Sequence, residues 1–157
     1  KLENNYFDQY INAPISALRA LNYPEQKVPP KEKQMRAGAH SDYGSLTILL
    51  PQQGSTGLEI LSRSGEWLPV PIIPDTFVIN IGDLMAMWTN DRWVSTVHRV
   101  VNSGSTKKRQ SFAYFHQPNW FSEIQCLSSC LKKGEQPKYP PTYSGPYLMS
   151  KFKSTTQ

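Results

Sequence analysis

The sequence predicts a mainly β protein built as a sandwich or barrel, with a minor helix and an irregular C-terminal tail. Between residues 45 and 115, short apolar runs alternate with turn residues, and β-branched and aromatic side chains dominate the runs. Short strands with regular turn signals are typical of closed or stacked antiparallel sheets. The predicted strands cover residues 45–50, 57–61, 66–70, 77–81, 84–88, 94–101 and 110–115.

Both ends of the chain lack this pattern. Residues 3–20 are mixed in character and allow a helix, whereas residues 24–34 carry three prolines and predict an exposed loop. Residues 134–147 are rich in proline and glycine, so we expect an irregular tail that wraps on the barrel. The length of 157 residues predicts a single domain over 1–157 with its own hydrophobic core.

Composition argues against several classes of protein. The net charge of +5 is scattered rather than gathered in a dense basic stripe, which argues against a nucleic-acid partner. No apolar run is long enough to predict a membrane span, and no signal segment opens the chain. Cys126 and Cys130 lack the second ligand pair of a structural zinc site, so we interpret them as ordinary thiols and expect a cytoplasmic protein.

Three residues have the identities of a metal-ligand set. His40 and Asp42 lie two residues apart, a spacing that directs both side chains to one face of a strand, and His98 lies in a second strand-like run. Two histidines and one carboxylate that leave coordination positions open are the ligand set of non-haem iron(II) oxygenases. The alternative is that the H-x-D spacing arises by chance and that His98 is an ordinary core residue.

Arg109 and Ser111 form a second group. They share one face of the strand that follows His98. A guanidinium fork matches a carboxylate, and a hydroxyl adds a further hydrogen bond. A dicarboxylate could therefore chelate a metal at one end and meet Arg109 at the other. The alternative is a surface ion pair.

The order of these groups resembles the C-terminal half of the isopenicillin N synthase-like family of iron(II)/2-oxoglutarate dioxygenases. The resemblance covers about residues 15 to 148 and rests on the ordered combination of motifs. The matching segments are Leu21-Asn22-Tyr23-Pro24, His40-Ser41-Asp42-Tyr43-Gly44-Ser45-Leu46-Thr47, Gly57-Leu58-Glu59-Ile60, Trp67-Leu68-Pro69-Val70, Val78-Ile79-Asn80-Ile81-Gly82-Asp83, Trp88-Thr89-Asn90, Ser95-Thr96-Val97-His98-Arg99-Val100 and Arg109-Gln110-Ser111.

The resemblance implies a double-stranded β-helix, or jelly-roll, that uses iron(II), O2 and 2-oxoglutarate. It implies His40, Asp42 and His98 as iron ligands. It also implies that Arg109 and Ser111 bind the distal carboxylate of 2-oxoglutarate, with Tyr23 as a third contact. The expected activity is oxidation of a small molecule by hydroxylation, with release of succinate and CO2. Members of this family carry a long N-terminal region that this chain is expected to lack.

Several further residues have expected positions. Tyr43, Trp88 and Phe115 are candidates for the wall of a substrate pocket, although each could equally be a core or rim aromatic residue. Asn80 is expected to shape the barrel rather than react. Strand alternation turns His116 away from Arg109 and Ser111, which indicates a structural or surface role.

Two alternative functions stay open at this point. The first is an iron-dependent oxidase of the same family that does not use 2-oxoglutarate. The second is a barrel that binds metal but is inactive as a fragment.

Overall fold

The computed structural model describes residues 2–28, 30–102 and 107–155. Its elements, in chain order, are α1 (Asp8–Ile11), β1 (Ala17–Tyr23), β2 (Ala37–His40), β3 (Leu46–Pro51), β4 (Leu58–Leu61), β5 (Trp67–Pro69), β6 (Val78–Ile81), α2 (Asp83–Trp88), β7 (His98–Val100), β8 (Arg109–His116), β9 (Glu123–Ile124), a 3₁₀ turn (Ser128–Cys130), β10 (Thr142–Tyr143) and α3 (Ser144–Thr155).

Two antiparallel sheets form the expected jelly-roll. One sheet has the strand order β1-β8-β3-β6, and the other has the order β2-β7-β4-β5. Strands that are neighbours within a sheet are distant in sequence; for example, β8 lies between β1 and β3. Inward-facing side chains from both sheets line a single cavity. The sheets therefore enclose the space in which the candidate site lies.

The first sheet has a buried inner face and an apolar outer face. Along β8, Arg109, Ser111 and Ala113 are buried, whereas the alternate residues Gln110 and Phe112 are exposed. The register places Tyr114 beside Leu18 of β1 and beside Ile48 of β3, and Ile48 beside Ile79 of β6. Apolar side chains on this outer face retain high exposure; they are Leu18, Leu50, Ile79 and Phe112. Because these residues lie on neighbouring strands, they form one exposed apolar patch rather than scattered single residues.

The predicted strand at residues 84–88 is wrong, because this segment is helix α2. Leucine, methionine and alanine are strong helix formers, and none of them is β-branched. Leu84 and Trp88 lie four residues apart, so they share one face of the helix. Both pack with Ile124 and Leu127 in a hydrophobic core outside the barrel, where Trp88 is 2% exposed.

The expected irregular C-terminal tail is also wrong in its last part. The described residues end in the twelve-residue helix α3. Pro146 lies in the first turn of this helix, where a missing backbone N–H costs little. The other prolines of the segment, Pro137, Pro140 and Pro141, precede the helix. The proline and glycine content of residues 134–147 predicted an irregular tail but could not exclude a helix that begins at Ser144.

In the described residues, no helix is both long and apolar enough to cross a membrane.

A tight turn joins β2 to β3 and rests on the start of α2. The backbone N–H groups of Gly82, Asp83 and Leu84 donate to the carbonyls of Ser45, Asp42 and Gly44, at 2.9, 2.8 and 3.0 Å. A Cβ atom at position 82 would lie 2.2 Å from the Gly44 carbonyl oxygen. Only glycine permits this approach of two backbones.

We predict that Gly82→Ala destabilises the protein by roughly 1–3 kcal/mol, because the added methyl group overlaps backbone that cannot move aside. Chemical denaturation, followed by circular dichroism, measures the change. Gly38→Ala is the matched control, since a Cβ atom at position 38 meets nothing within 4 Å. Equal stability of both variants would contradict this account of the turn.

Candidate active site

Pairing of β2 with β7 brings the two candidate histidines together. His40 and His98 are direct partners in this antiparallel register. Their ring centroids lie 4.3 Å apart, and the planes are inclined at 55°. His40 is the last residue of β2 and His98 the first of β7. The two imidazoles therefore meet at one end of the barrel, although 58 positions separate them in the sequence.

Asp42 reaches the histidines from the turn rather than from a strand. The H-x-D spacing predicts one strand face shared with His40, but β2 ends at His40. The hydrogen bond from the Asp83 N–H to the Asp42 carbonyl holds the turn in place. The Asp42 Oδ1 then lies 3.8 Å from the His98 Nε2. One atom of each of His40, Asp42 and His98 lies within 4.8 Å of the others, a spacing that can hold one metal ion.

Hydrogen bonds to backbone carbonyls orient both imidazoles. The His40 Nδ1 lies 2.7 Å from the Gly38 carbonyl oxygen, and the His98 Nδ1 lies 3.1 Å from that of Thr96. A carbonyl oxygen only accepts, so each Nδ1 carries the proton and each Nε2 keeps a free lone pair. This tautomer, inferred from the bonding pattern, suits both residues as metal ligands through Nε2.

Asn80 lies beside the cluster, a position that the sequence did not predict. Its Nδ2 donates to the Asp42 Oδ2 at 3.0 Å. The same nitrogen lies 3.2 Å from the His98 Nδ1, but two donors meet there, because the Nδ1 proton points to the Thr96 carbonyl. Asn80 faces the cavity with Val78. A lone amide on the inward face of an apolar strand was the available signal.

Helix α3 braces the backbone that carries Asp42. The Asp83 carboxylate accepts hydrogen bonds from the Tyr147 hydroxyl at 2.8 Å and the Lys151 ammonium at 3.0 Å. Burial disfavours the charged form, but hydrogen bonds from Ser95, Lys151 and Tyr147 still hold the pKa of Asp83 below its ordinary value. Asp83 is therefore ionised at neutral pH and ties α3 to the start of α2.

Arg109 lies in the wall of the same cavity, with unused hydrogen-bonding capacity. It is 5% exposed, and its Nε has no hydrogen-bond partner in the described structure. Burial lowers the pKa of Arg109, whereas the adjacent Tyr23 raises it. The guanidinium carbon lies 5.2 Å from the centroid of the Tyr23 ring. A buried, partly unsatisfied guanidinium is costly unless a ligand completes it.

The His40–Asp42–His98 cluster and Arg109 line the same cavity, which has a volume of about 220 Å³. Its lining includes all six residues predicted to bind metal or cosubstrate: Tyr23, His40, Asp42, His98, Arg109 and Ser111. Apolar side chains supply most of the remaining wall; they are Leu21, Ala37, Leu49, Leu58, Ile60, Val70, Val78, Val100, Ala113 and Phe115.

The three predicted substrate-wall residues have different outcomes. Phe115 lines the cavity. Trp88 does not, because helix α2 carries it into the separate hydrophobic core. Tyr43 also lies outside the cavity lining; its ring centroid is 6.1 Å from that of Phe152 in α3. The structure therefore does not support Trp88 or Tyr43 as part of the cavity wall.

His116 points away from Arg109 and Ser111, as strand alternation predicts, and the two cysteines are unpaired thiols. The His116 Nδ1 is 2.6 Å from the Ser45 hydroxyl, and burial lowers the pKa of His116. His116 is absent from the cavity lining and joins β8 to the turn before β3. Cys126 and Cys130 are free thiols.

The sequence of this chain is similar to those of known proteins. A sequence model of the 2OG-Fe(II) oxygenase superfamily matches residues 12–118. The 2-oxoglutarate-Fe(II) type oxidoreductase hxnY of Emericella nidulans is 42% identical over 142 residues, which cover 89% of this chain and 40% of that protein. The homoarginine-6-hydroxylase 2-ODD-233 of Oryza sativa is 36% identical, with 88% of this chain and 43% of that protein covered.

A solved structure agrees with the sequence matches. A full-length Neurospora crassa protein, crystallised in complex with alpha-KG and thymine, superposes with a TM-score of 0.88 at 36% identity, over 98% of this chain and 48% of that one. The chain thus spans less than half the length of these three relatives. On the match over residues 12–118 and these identities, the chain belongs to the 2OG-Fe(II) oxygenase superfamily.

Proposed function

We propose that this chain is the catalytic region of an iron(II)- and 2-oxoglutarate-dependent oxygenase that hydroxylates a small molecule and releases succinate and CO2. One observation carries the proposal. A single cavity contains both a cluster of three metal-binding side chains and a buried guanidinium with an unsatisfied Nε. These are the two attachments that a metal-chelating dicarboxylate requires.

His40, Asp42 and His98 are the proposed iron ligands. Two imidazole nitrogens and one carboxylate oxygen are a ligand set that suits iron(II) and would leave coordination positions open for other ligands. The donor atoms lie within 4.8 Å of one another. Asn80 holds the second carboxylate oxygen of Asp42, so the first oxygen can face the metal. Such supporting contacts fix the direction of the ligand lone pairs.

Arg109, Ser111 and Tyr23 are the proposed contacts for the distal carboxylate of 2-oxoglutarate. Ser111 is 3% exposed and follows Arg109 on the inner face of β8. Tyr23 is the direct cross-strand partner of Arg109. The fork of Arg109 can donate two parallel hydrogen bonds to one carboxylate, which satisfies its buried Nε.

The remaining chemistry divides between the cofactor and the protein. Iron(II), when bound, supplies the redox step in which O2 and 2-oxoglutarate are consumed and one oxygen atom enters the substrate. The chain positions both reactants and surrounds them with apolar side chains that exclude water. The thymine complex of the Neurospora crassa relative supports a small-molecule substrate.

The two alternatives predict different products. An oxidase that does not use 2-oxoglutarate would consume O2 without forming succinate. A barrel inactive as a fragment would bind iron and 2-oxoglutarate without oxidising a substrate.

The exposed apolar face of the β1-β8-β3-β6 sheet favours further protein at this surface in the active enzyme.

We predict that the chain converts 2-oxoglutarate to succinate after metal-free protein has been reconstituted with iron(II) under nitrogen and then exposed to air. The conversion should be slow without a substrate and faster when a substrate is present. Proton NMR measures succinate and 2-oxoglutarate together. His98→Ala should abolish both iron binding and turnover, because it removes one of three ligands. Oxygen uptake without succinate would favour the oxidase. Binding of both ligands without any 2-oxoglutarate loss would favour the inactive barrel.

We predict that Asn80→Ala weakens metal affinity by about 10- to 100-fold, because Asp42 loses the hydrogen bond that orients it. Zinc(II) binding, measured by calorimetry, reports this without turnover. Asn22→Ala is the matched control, since Asn22 is exposed and absent from the cavity lining. Unchanged zinc affinity in Asn80→Ala would remove Asn80 from this role.

We predict that Arg109→Lys raises the dissociation constant for 2-oxoglutarate at least tenfold, because an ammonium cannot reproduce the guanidinium fork. Metal affinity should stay within about twofold, since Arg109 is not a ligand. Titration of the zinc-loaded protein with 2-oxoglutarate measures the first quantity and zinc calorimetry the second. Equal 2-oxoglutarate affinity in both proteins would exclude Arg109 as the anchor.

A further inference from the structure

The cavity contains a second guanidinium that the proposed function does not use. Arg19 lies on β1 and lines the cavity. Its guanidinium carbon is 5.8 Å from the centroid of the Phe115 ring. The ion pairs of the described residues do not include Arg19, and its side chain makes no hydrogen bond there. An arginine that faces a cavity without an acidic partner is available to a ligand.

Arg19 is well separated from the proposed 2-oxoglutarate anchor. The β1–β8 register pairs Tyr23 with Arg109 and Arg19 with Ala113. Four residues of extended strand therefore separate the two rungs, which corresponds to about 13 Å. The two guanidinium groups lie at different levels of the same wall. A 2-oxoglutarate molecule bound to Arg109 leaves Arg19 free.

Phe115 lies at the level of the metal cluster. The register pairs Phe115 with Thr47, and Thr47 with Asn80 of β6. Asn80 in turn contacts Asp42. A molecule that packs on the Phe115 ring is therefore close to the cluster, and the Arg19 guanidinium is within reach of one end of it.

Charge in the cavity favours an anion at Arg19. Of the described lining residues, Asp42 alone carries a carboxylate, and the proposed metal site uses it. Arg19 is exposed at the cavity, so a ligand can reach it from solvent. The chain as a whole carries a net charge of +5, which also attracts anions.

We propose that the oxidised substrate is a carboxylic acid, whose carboxylate binds Arg19 and whose apolar part packs on Phe115. This inference rests on the proposed function and adds the substrate class. The planar guanidinium matches a carboxylate through two parallel hydrogen bonds. Arg19 is then a specificity-determining residue, and the carbon to be oxidised lies between the acid group and the metal.

The test measures ligand binding without turnover. The chain is loaded with zinc(II) and saturated with 2-oxoglutarate, so that the metal and Arg109 are both occupied. Matched pairs of probes, phenylacetate with phenylacetamide and indole-2-carboxylate with indole-2-carboxamide, are then titrated by ligand-observed NMR. We expect at least one acid to bind about tenfold more tightly than its amide, because only the acid forms a charged pair with the guanidinium.

Variants assign this preference to Arg19. In Arg19→Gln, the acid and its amide should bind about equally tightly. In Arg19→Lys, the acid should bind more tightly than the amide, but by a smaller factor than in the parent chain. Arg63→Gln is the matched control, because Arg63 is exposed, lies outside the cavity lining and changes the net charge equally. Phe115→Leu should weaken the acid and the amide of a pair alike, since it removes a shared packing surface.

The outcomes separate this inference from the proposed function. Affinity for 2-oxoglutarate and for zinc should be the same in Arg19→Gln and the parent chain. Given unchanged affinities, two results would show that the substrate class is wrong while the proposed function stands. One is that no acid binds more tightly than its amide. The other is that the preference for the acid survives in Arg19→Gln. If the parent chain fails to bind 2-oxoglutarate, the proposed function itself fails.

Discussion

The site depends on a set of backbone hydrogen bonds that dock one turn onto the start of one helix. The N–H groups of Gly82, Asp83 and Leu84 bind the carbonyls of the turn that carries Asp42. Since Asp42 lies beyond the end of β2, no strand ladder fixes its position. The absence of a Cβ atom at Gly82 allows this contact, and the Asp83 ion pair with Lys151 extends it to helix α3.

Long-range pairing accounts for what the sequence could not predict. Alternation along β8 was enough to place Arg109, Ser111 and Phe115 on one inner face, because strand periodicity is local. The direct pairing of His40 with His98 is not local, and only the assembled sheet shows it. The motif order indicated that these residues act together but not that Asp42 approaches from a turn.

Where the sequence-based predictions differ from the structure, the cause lies in short segments of sequence. Five apolar residues at 84–88 are too few to distinguish a buried strand from a helix, so the sequence left Trp88 open as either a cavity-wall or a core residue. Asn80 lies in an apolar run, so the sequence indicated a part in shaping the barrel. Its hydrogen bond to Asp42 gives it a positioning role instead. Residues that hold ligands in place carry weak sequence signals, since many side chains can donate one hydrogen bond.

The charges at the proposed metal site, Arg109 and Arg19 can be considered together. Iron(II), Arg19 and Arg109 would bring four positive charges, and Asp42 brings one negative charge. The two carboxylates of 2-oxoglutarate would leave a net single positive charge, and the exposed Arg19 would be the cation without a counter-charge. A substrate with one carboxylate would remove that excess, whereas a second cation would increase it. If Arg19 binds the substrate as proposed, it would also disfavour cationic groups next to Phe115, because like charges repel.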